Sequence, residues 1–298
     1  MDYLDTASHY VSLNTVFAFI DNNLKEELSL SALARVSGYS EYHFHRIFHA
    51  MTGKTLHDYV RERRVVTAAS RLLYEHSSVT RIAFDCGFSS SSTFGRCFNQ
   101  YMGCSPSHYR KNKERKRPLI SADTAIKRYN ANQELDSLFA QTALPDLYVA
   151  GIVMQGLSQS FESKAIEQAF KKLFAWLAKE NLIKENMPVM GITLDTPEVV
   201  SFAECRYFAC VPADERFKPE ADISVRTIMS KGKYITFSLD RTQPDFAKIF
   251  FGITDYLYGC YMPHMGWYPD NRPFVEIYAQ VGSTMQINFF VPVTACSK

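Results

Sequence analysis

Apolar residues in the first hundred positions recur three and four apart, in short runs broken by serine and glycine, which is the periodicity of amphipathic helices. Leu30, Leu33 and Ala34 form one stripe; Ser29 or Ser31 is placed to cap it and Gly38 to stop it. The next stripe starts after Ser40, a good N-cap residue, and carries Phe44, Ile47 and Phe48 on one face. Further on, Ile82 and Ala83 precede Gly87, and the run after Ser89–Ser92 carries Phe94 and Phe98. Val16, Phe17 and Ile20 predict a supporting helix ahead of these, and Leu56–Leu73, free of Gly and Pro, predicts one long helix between them. Beyond residue 145 the pattern changes to runs rich in β-branched and aromatic residues: Leu147–Met154, Glu204–Val211, Lys233–Leu239, Phe274–Val281 and Met285–Val293. Helical stretches Ala165–Glu180 and Phe246–Leu257 lie between them, so the order strand, helix, strands occurs twice. That order predicts an α+β domain of two similar strand–helix–strand halves, following an all-α domain.

The helical part contains an internal repeat. Ala34 and Gly38 recur 49 residues on as Ala83 and Gly87, while Phe48, Gly53 and Tyr59 recur 50 residues on as Phe98, Gly103 and Tyr109. Each copy reads as helix, tight turn, helix, with a small Ala where the helices cross and a Gly where the turn needs positive φ. This is the helix-turn-helix pattern, whose second helix enters a major groove of DNA. The alternative, packing helices of an ordinary bundle, does not account for the paired spacings. About 20 residues of helix span about 30 Å, close to one turn of DNA, so the long helix is a strut able to set two recognition helices in successive grooves. A monomer on an asymmetric site is the expectation.

Charge sharpens this division. Residues 1–117 hold 16 Lys+Arg against 11 Asp+Glu, a net of +5, whereas the remainder holds 17 against 20, a net of −3, the two making the overall +2. Only the first part is expected to meet a polyanion. RKNKERKRP, Arg110–Pro118, is a charge run ending in Pro and reads as a linker. The boundaries that follow are 1–112, a linker at 113–124, and 125–298. The seven cysteines are scattered without a C-x-x-C, and the first ten residues have no leader pattern. With no apolar stretch long enough to span a bilayer, a cytoplasmic, reducing location and no membrane association are expected. No metal signature and no cofactor motif stand out; His45 and His49, one helical turn apart, read as polar surface of a DNA-facing helix.

Three segments carry a family resemblance: LSLSALARVSGYSEYHFHRIFHAMTG, the linking LHDYVRERRVVTAASRLL, and SVTRIAFDCGFSSSSTFGRCFNQYMGCSPSHYR with its G-x-S-P-x-x-Y-R ending. Residues 10–112 resemble the AraC/XylS DNA-binding domain along their whole length. The resemblance implies seven helices and sequence-specific binding to double-stranded promoter DNA. On the first recognition helix it points to Tyr42, His45 and Arg46 as base readers; Arg suits bidentate bonds to guanine and an aromatic packs on a thymine methyl. On the second it points to Ser91, Ser92 and Arg96, whose short serines favour phosphate contact at the helix N-terminus over base reading. Arg61, Arg63, Arg64 and Arg110 are further candidates for phosphate, with solvated surface charge as the alternative.

CRYFACV, SKGKYITF, RPFVEIY and the terminal FFVPV occur in the order of a GyrI-like effector-binding domain, which residues 125–295 resemble. The resemblance implies a ligand pocket between the two halves with Glu276 at its floor. A carboxylate among aromatic rings suits a small aromatic or cationic ligand. Trp267, Tyr268, Tyr278, Tyr207 and Phe208 are candidate walls, and Asn288 stands where many relatives have a second acid. Trp267 and Tyr278 read nearly as well as core; for Glu276 the alternative is a structural ion pair, and the pocket role is favoured. Together these readings give a regulator, an activator working with RNA polymerase under control of a ligand. Two alternatives stay open: hydrolysis of the ligand by Glu276 and a tyrosine, or a second domain that only docks protein.

Overall fold

The computed structural model describes residues 3–75, 77–112, 135–158, 163–197, 199–220, 222–270, 272–281 and 283–295. The chain divides into two compact units, residues 1–114 with 218–226, and residues 115–217 with 227–298. The expected linker, 113–124, lies outside the described residues.

Seven helices make up residues 3–112: α1 (Tyr3–Asn22), α2 (Leu30–Ser37), α3 (Glu41–Thr52), α4 (Leu56–Tyr74), α5 (Val79–Asp85), α6 (Ser91–Met102) and α7 (Pro106–Asn112). Side-chain caps set five of the starts: Ser29, Ser40, Thr55, Ser78 and Ser90 each accept the backbone N–H three residues on. Of the two candidate caps for α2, Ser29 is the one used. α2, α3 and α6 end on Gly38, Gly53 and Gly103, all in the left-handed region that glycine enters without steric cost. Leu33, Ala34, Phe44, Ile47 and Phe48 join Leu13, Val16 and Ile20 of α1, and Leu56 and Val60 of α4, in one core. The later part of α4 buries Val65, Ala68, Ala69 and Leu72, and Phe94, Phe98 and Tyr109 stack edge to face beyond it. The long helix therefore contributes to the cores of both helix-turn-helix units, which is why its 19 residues run unbroken.

The second unit is built on one antiparallel sheet. The main elements after residue 135 are β1 (Ala140–Leu144), β2 (Leu147–Gln155), α8 (Lys164–Lys179), β3 (Val189–Thr193), β4 (Arg206–Pro212), β5 (Ser224–Ile228, which straddles the division at residue 226), β6 (Gly232–Asp240), α9 (Phe246–Tyr256), β7 (Trp267–Pro269), β8 (Phe274–Val281) and β9 (Thr284–Ala295). The strand order is β1-β6-β9-β8-β3-β4-β2-β5, with β7 beside the end of β9. Each half is a strand, a helix and a pair of strands, β2-α8-β3-β4 and β6-α9-β8-β9, and the halves meet where β3 pairs antiparallel with β8. The five strand runs and two helices expected from the sequence lie within a few residues of where the pattern put them. β1, β3, β5 and β7 were not expected; they are short, and β3 is broken in character by Gly191.

Cross-strand partners point to the same face of a sheet. Glu276 pairs with Gly191 on one side and Phe289 on the other, so these three share a face. Phe250 of α9 packs 4.8 Å from Phe289, and Phe170 of α8 packs 5.7 Å from Tyr278, ring centre to ring centre. Both helices thus cover the face that carries Glu276, one over each half. The opposite face holds a separate cluster of Val149, Met190, Ile192, Phe208, Cys210 and Val275. Among the described residues, no helix is long and apolar enough to cross a membrane.

Candidate functional site

On α3, burial of Phe44, Ile47 and Phe48 leaves Tyr42, His45, Arg46 and His49 exposed at i, i+3, i+4 and i+7, a single stripe. Tyr42 is 73% exposed, an unusual state for so large a ring, and the Arg46 guanidinium carbon lies 5.7 Å from its centre. The ring therefore braces the arginine by a cation–π contact while leaving its donors outward. On α6 the corresponding stripe is Ser91, Ser92, Arg96 and Asn99, all exposed, with Gly95 among them. A side chain at Gly95 would meet nothing within 4 Å, so bare helix backbone faces outward there. The Ser91 hydroxyl donates across 3.5 Å to Thr80 of α5. The two recognition surfaces thus differ in reach, long and branched on α3, short on α6. Gly95 carries no signal in the sequence, because a glycine inside a helix is ordinarily only a small loss of helix propensity.

The four arginines expected at phosphates all bond within the unit. Arg63 pairs with Asp21 at 3.3 Å, Arg64 donates to the carbonyls of Leu24 at 2.9 Å and Glu26 at 2.8 Å, and Arg110 donates to the Ser77 carbonyl at 2.6 Å. Burial lowers the pKa of both Arg64 and Arg110 from the usual guanidinium value. Arg61 meets two neighbours on its own helix, His57 at 3.2 Å and Asp58 at 3.9 Å. Loop carbonyls and a carboxylate, which sequence spacing cannot place, are the partners of Arg63, Arg64 and Arg110 within the domain.

In the second unit Glu276 is 6% exposed. Its Oε2 accepts from the Tyr278 hydroxyl at 2.7 Å and from the Tyr207 hydroxyl at 2.8 Å, and the two phenolic oxygens are themselves 2.8 Å apart. Three mutually close oxygens have three edges, and two phenol protons fill only two of them. A third proton, on Glu276, would complete the set, Oε2 then donating to one phenol and that phenol to the other. Burial works in the same direction, raising the Glu276 carboxyl above its ordinary range against the opposing pull of the two phenols. It likewise raises both phenols well above theirs.

Gly191 makes the arrangement possible. A side chain there would begin 1.6 Å from the Tyr207 hydroxyl and 3.0 Å from Glu276 Oε2. Sequence reading missed it because a glycine inside the apolar run VMGIT reads as a breaker, when here it marks a close approach across three strands. Glu276, Tyr207 and Tyr278 come together as one cluster. The other candidates do not join it. Phe208 and Asn288 pair with Ile192 and Ile277, which puts both on the opposite face, where Asn288 accepts a hydrogen bond from Ser238. Trp267 pairs with Ala295 and Tyr268 with Thr294, whereas Glu276 pairs with Phe289. Trp267 is six residues from the Glu276 rung along β9, about 20 Å. It lies instead under Lys233, 4.9 Å from Nζ to ring centre, beside a pocket of about 230 Å³ that Tyr234 and Val293 also line.

A helix-turn-helix domain model matches residues 33–112, and a model described as a GyrI-like small molecule binding domain matches residues 141–288. The regulatory protein SoxS of Escherichia coli (strain K12) is 36% identical over 103 residues, 35% of this chain and 96% of SoxS. The HTH-type transcriptional activator AarP of Providencia stuartii is 37% identical over 98 residues, 33% of this chain and 73% of AarP. Among solved structures, the DNA-binding domain of the transcriptional factor AdpA in complex with a target DNA is 31% identical. That likeness covers 35% of this chain and 93% of the AdpA domain, with a TM-score of 0.33. The chain belongs to the AraC/XylS family of DNA-binding transcriptional regulators, its helix-turn-helix domain followed by a GyrI-like small molecule binding domain.

Proposed function

We propose that this regulator is a transcription activator, working with RNA polymerase, whose output depends on a small aromatic or cationic molecule bound over Glu276. The observation that supports the ligand is the buried oxygen triangle. With Glu276 protonated the triangle is satisfied; with Glu276 ionised, one buried edge lacks a proton and a positive charge from outside stabilises the site. Aromatic rings of both helices stand on the same face of the sheet, Phe170 against Tyr278 and Phe250 against Phe289, and rings present negative faces to a cation. Similarity to AarP, described as an activator, supports the direction of regulation.

The test is calorimetric titration of the full chain with benzyltrimethylammonium, together with transcription in vitro from a promoter bearing a duplex selected by the protein. Binding that Glu276→Gln weakens about tenfold or more, the scale of a charge-assisted contact, and a rise in transcript on adding the cation are the expected results. Equal binding by the variant, or binding without any change in transcript, overturns the reading. One observation favours a second activity. A carboxyl 2.8 Å from a phenol is a general acid–base pair, so turnover of the bound molecule belongs among the outcomes. Mass spectrometry of a cationic ester incubated with the protein distinguishes the two: cleavage to acid and alcohol abolished by Glu276→Gln indicates hydrolysis, and recovery of intact ester indicates sensing.

A further inference from the structure

The two helix-turn-helix turns carry equivalent glycines, Gly38 and Gly87, both at positive φ, 73° and 84°. Their surroundings differ. A side chain at Gly38 would meet nothing within 4 Å. One at Gly87 would begin 2.3 Å from the Leu24 carbonyl oxygen and 2.9 Å from Cζ and Nε of Arg64. Arg64 stands near the middle of α4, and its Nε and Nη2 donate to the Leu24 and Glu26 carbonyls at 2.9 and 2.8 Å. Leu24 and Glu26 belong to the segment between α1 and α2, which leads into the first unit. Three pieces of chain therefore converge on one guanidinium: the entry to the first unit, the strut, and the turn of the second unit. The planar fork of Arg suits this task, because it holds two carbonyls at once in a fixed geometry, which a Lys ammonium does not. The groove between the units, about 850 Å³, is lined by Arg64 and Gly87 together with His45 of the first recognition helix and Thr93 of the second.

We infer that Arg64 is a positioning residue for DNA recognition: seated against Gly87, it clasps the two helix-turn-helix units at one relative orientation and so sets the half-site spacing the protein accepts. The inference rests on both units reading DNA at once. α4 alone leaves that orientation free to twist and bend about a single helix. The clasp adds a second connection off the helix axis and removes that freedom. One inserted base pair displaces the second half-site by about 3.4 Å and turns it by about 35°, so a clasped reader loses one unit's contacts while a loose one follows.

The experiment uses double-stranded oligonucleotides selected from a random pool by the full-length wild-type chain. Each is then remade with one base pair inserted or deleted between the half-sites. Affinities are measured for wild type, Arg64→Ala, Arg64→Lys, Gly87→Ala and, as a control in the equivalent turn, Gly38→Ala, with circular dichroism to establish folding. Wild type is expected to lose about tenfold or more on a change of spacing, the value of one or two good base contacts. Arg64→Ala and Gly87→Ala should flatten that penalty to about threefold or less, Arg64→Lys should fall between, and Gly38→Ala should keep the wild-type penalty. If Arg64→Ala does not fold, Arg64→Lys and Gly87→Ala carry the test. An undiminished spacing penalty in the folded variants overturns the clasp. A wild-type protein indifferent to spacing overturns the simultaneous reading itself, and the clasp with it.

Discussion

The hydroxyl of Tyr207 donates to Oε2 of Glu276 across 2.8 Å, from two strands away, over the bare backbone of Gly191. The contact joins the two halves of the sheet at their seam and explains why an acid lies buried there. It also fixes the sign of a pH effect. Burial raises the Glu276 carboxyl in the folded chain, so the folded chain retains a proton that the unfolded chain releases above about pH 4.3. Stability is therefore expected to fall as pH rises from the unfolded to the folded pKa, and then to level off. Glu276→Gln lacks that titration. Thermal melts across this range should show the variant gaining on wild type as pH rises; parallel profiles would mean that the carboxyl is not held protonated.

Gly191→Ala puts a methyl group where the Tyr207 hydroxyl stands, 1.6 Å away, so the phenol or the strand must shift. Overpacking of this kind costs about 1–3 kcal/mol. Urea denaturation measures it, and a loss below about 0.5 kcal/mol, the level of an ordinary surface change, would show that Tyr207 leaves the triangle freely.

The inward-turned arginines give a prediction in salt. Each phosphate contact contributes about 0.9 to the slope of log affinity against log salt concentration. Arg96→Ala, on the exposed stripe of α6, is expected to reduce the slope by about that amount, whereas Arg63→Ala, paired with Asp21, should lower the melting temperature and leave the slope alone. Anisotropy titrations at several salt concentrations decide it; a reduced slope for Arg63→Ala returns that residue to the DNA surface.

Helical spacing and capping residues made α2 to α6 legible, because cores and caps are local, and the recurrence of Gly38 as Gly87 exposed the repeat. Glu276 and Tyr278, two apart on one strand, were legible as neighbours. Tyr207 was one of several candidate walls, and only strand pairing could select it over Phe208, its neighbour on the opposite face. Trp267 was misplaced for the same reason: nearness in sequence to Glu276 does not survive the pairing of β7 with the far end of β9. The bonds of Arg64 join residues 40 and 38 apart, a separation at which charge alone predicts a surface role.

The most direct measurement is the affinity of the Arg46→Ala variant for a duplex selected by the wild-type protein and for a scrambled duplex of the same length, at one salt concentration. Arg46 is exposed on the first recognition helix with Tyr42 beneath its guanidinium. The expected result is a loss of about 1–3 kcal/mol on the selected duplex and a much smaller loss on the scrambled one, so that discrimination falls. An unchanged ratio between the two duplexes would contradict the assignment of sequence reading to this helix.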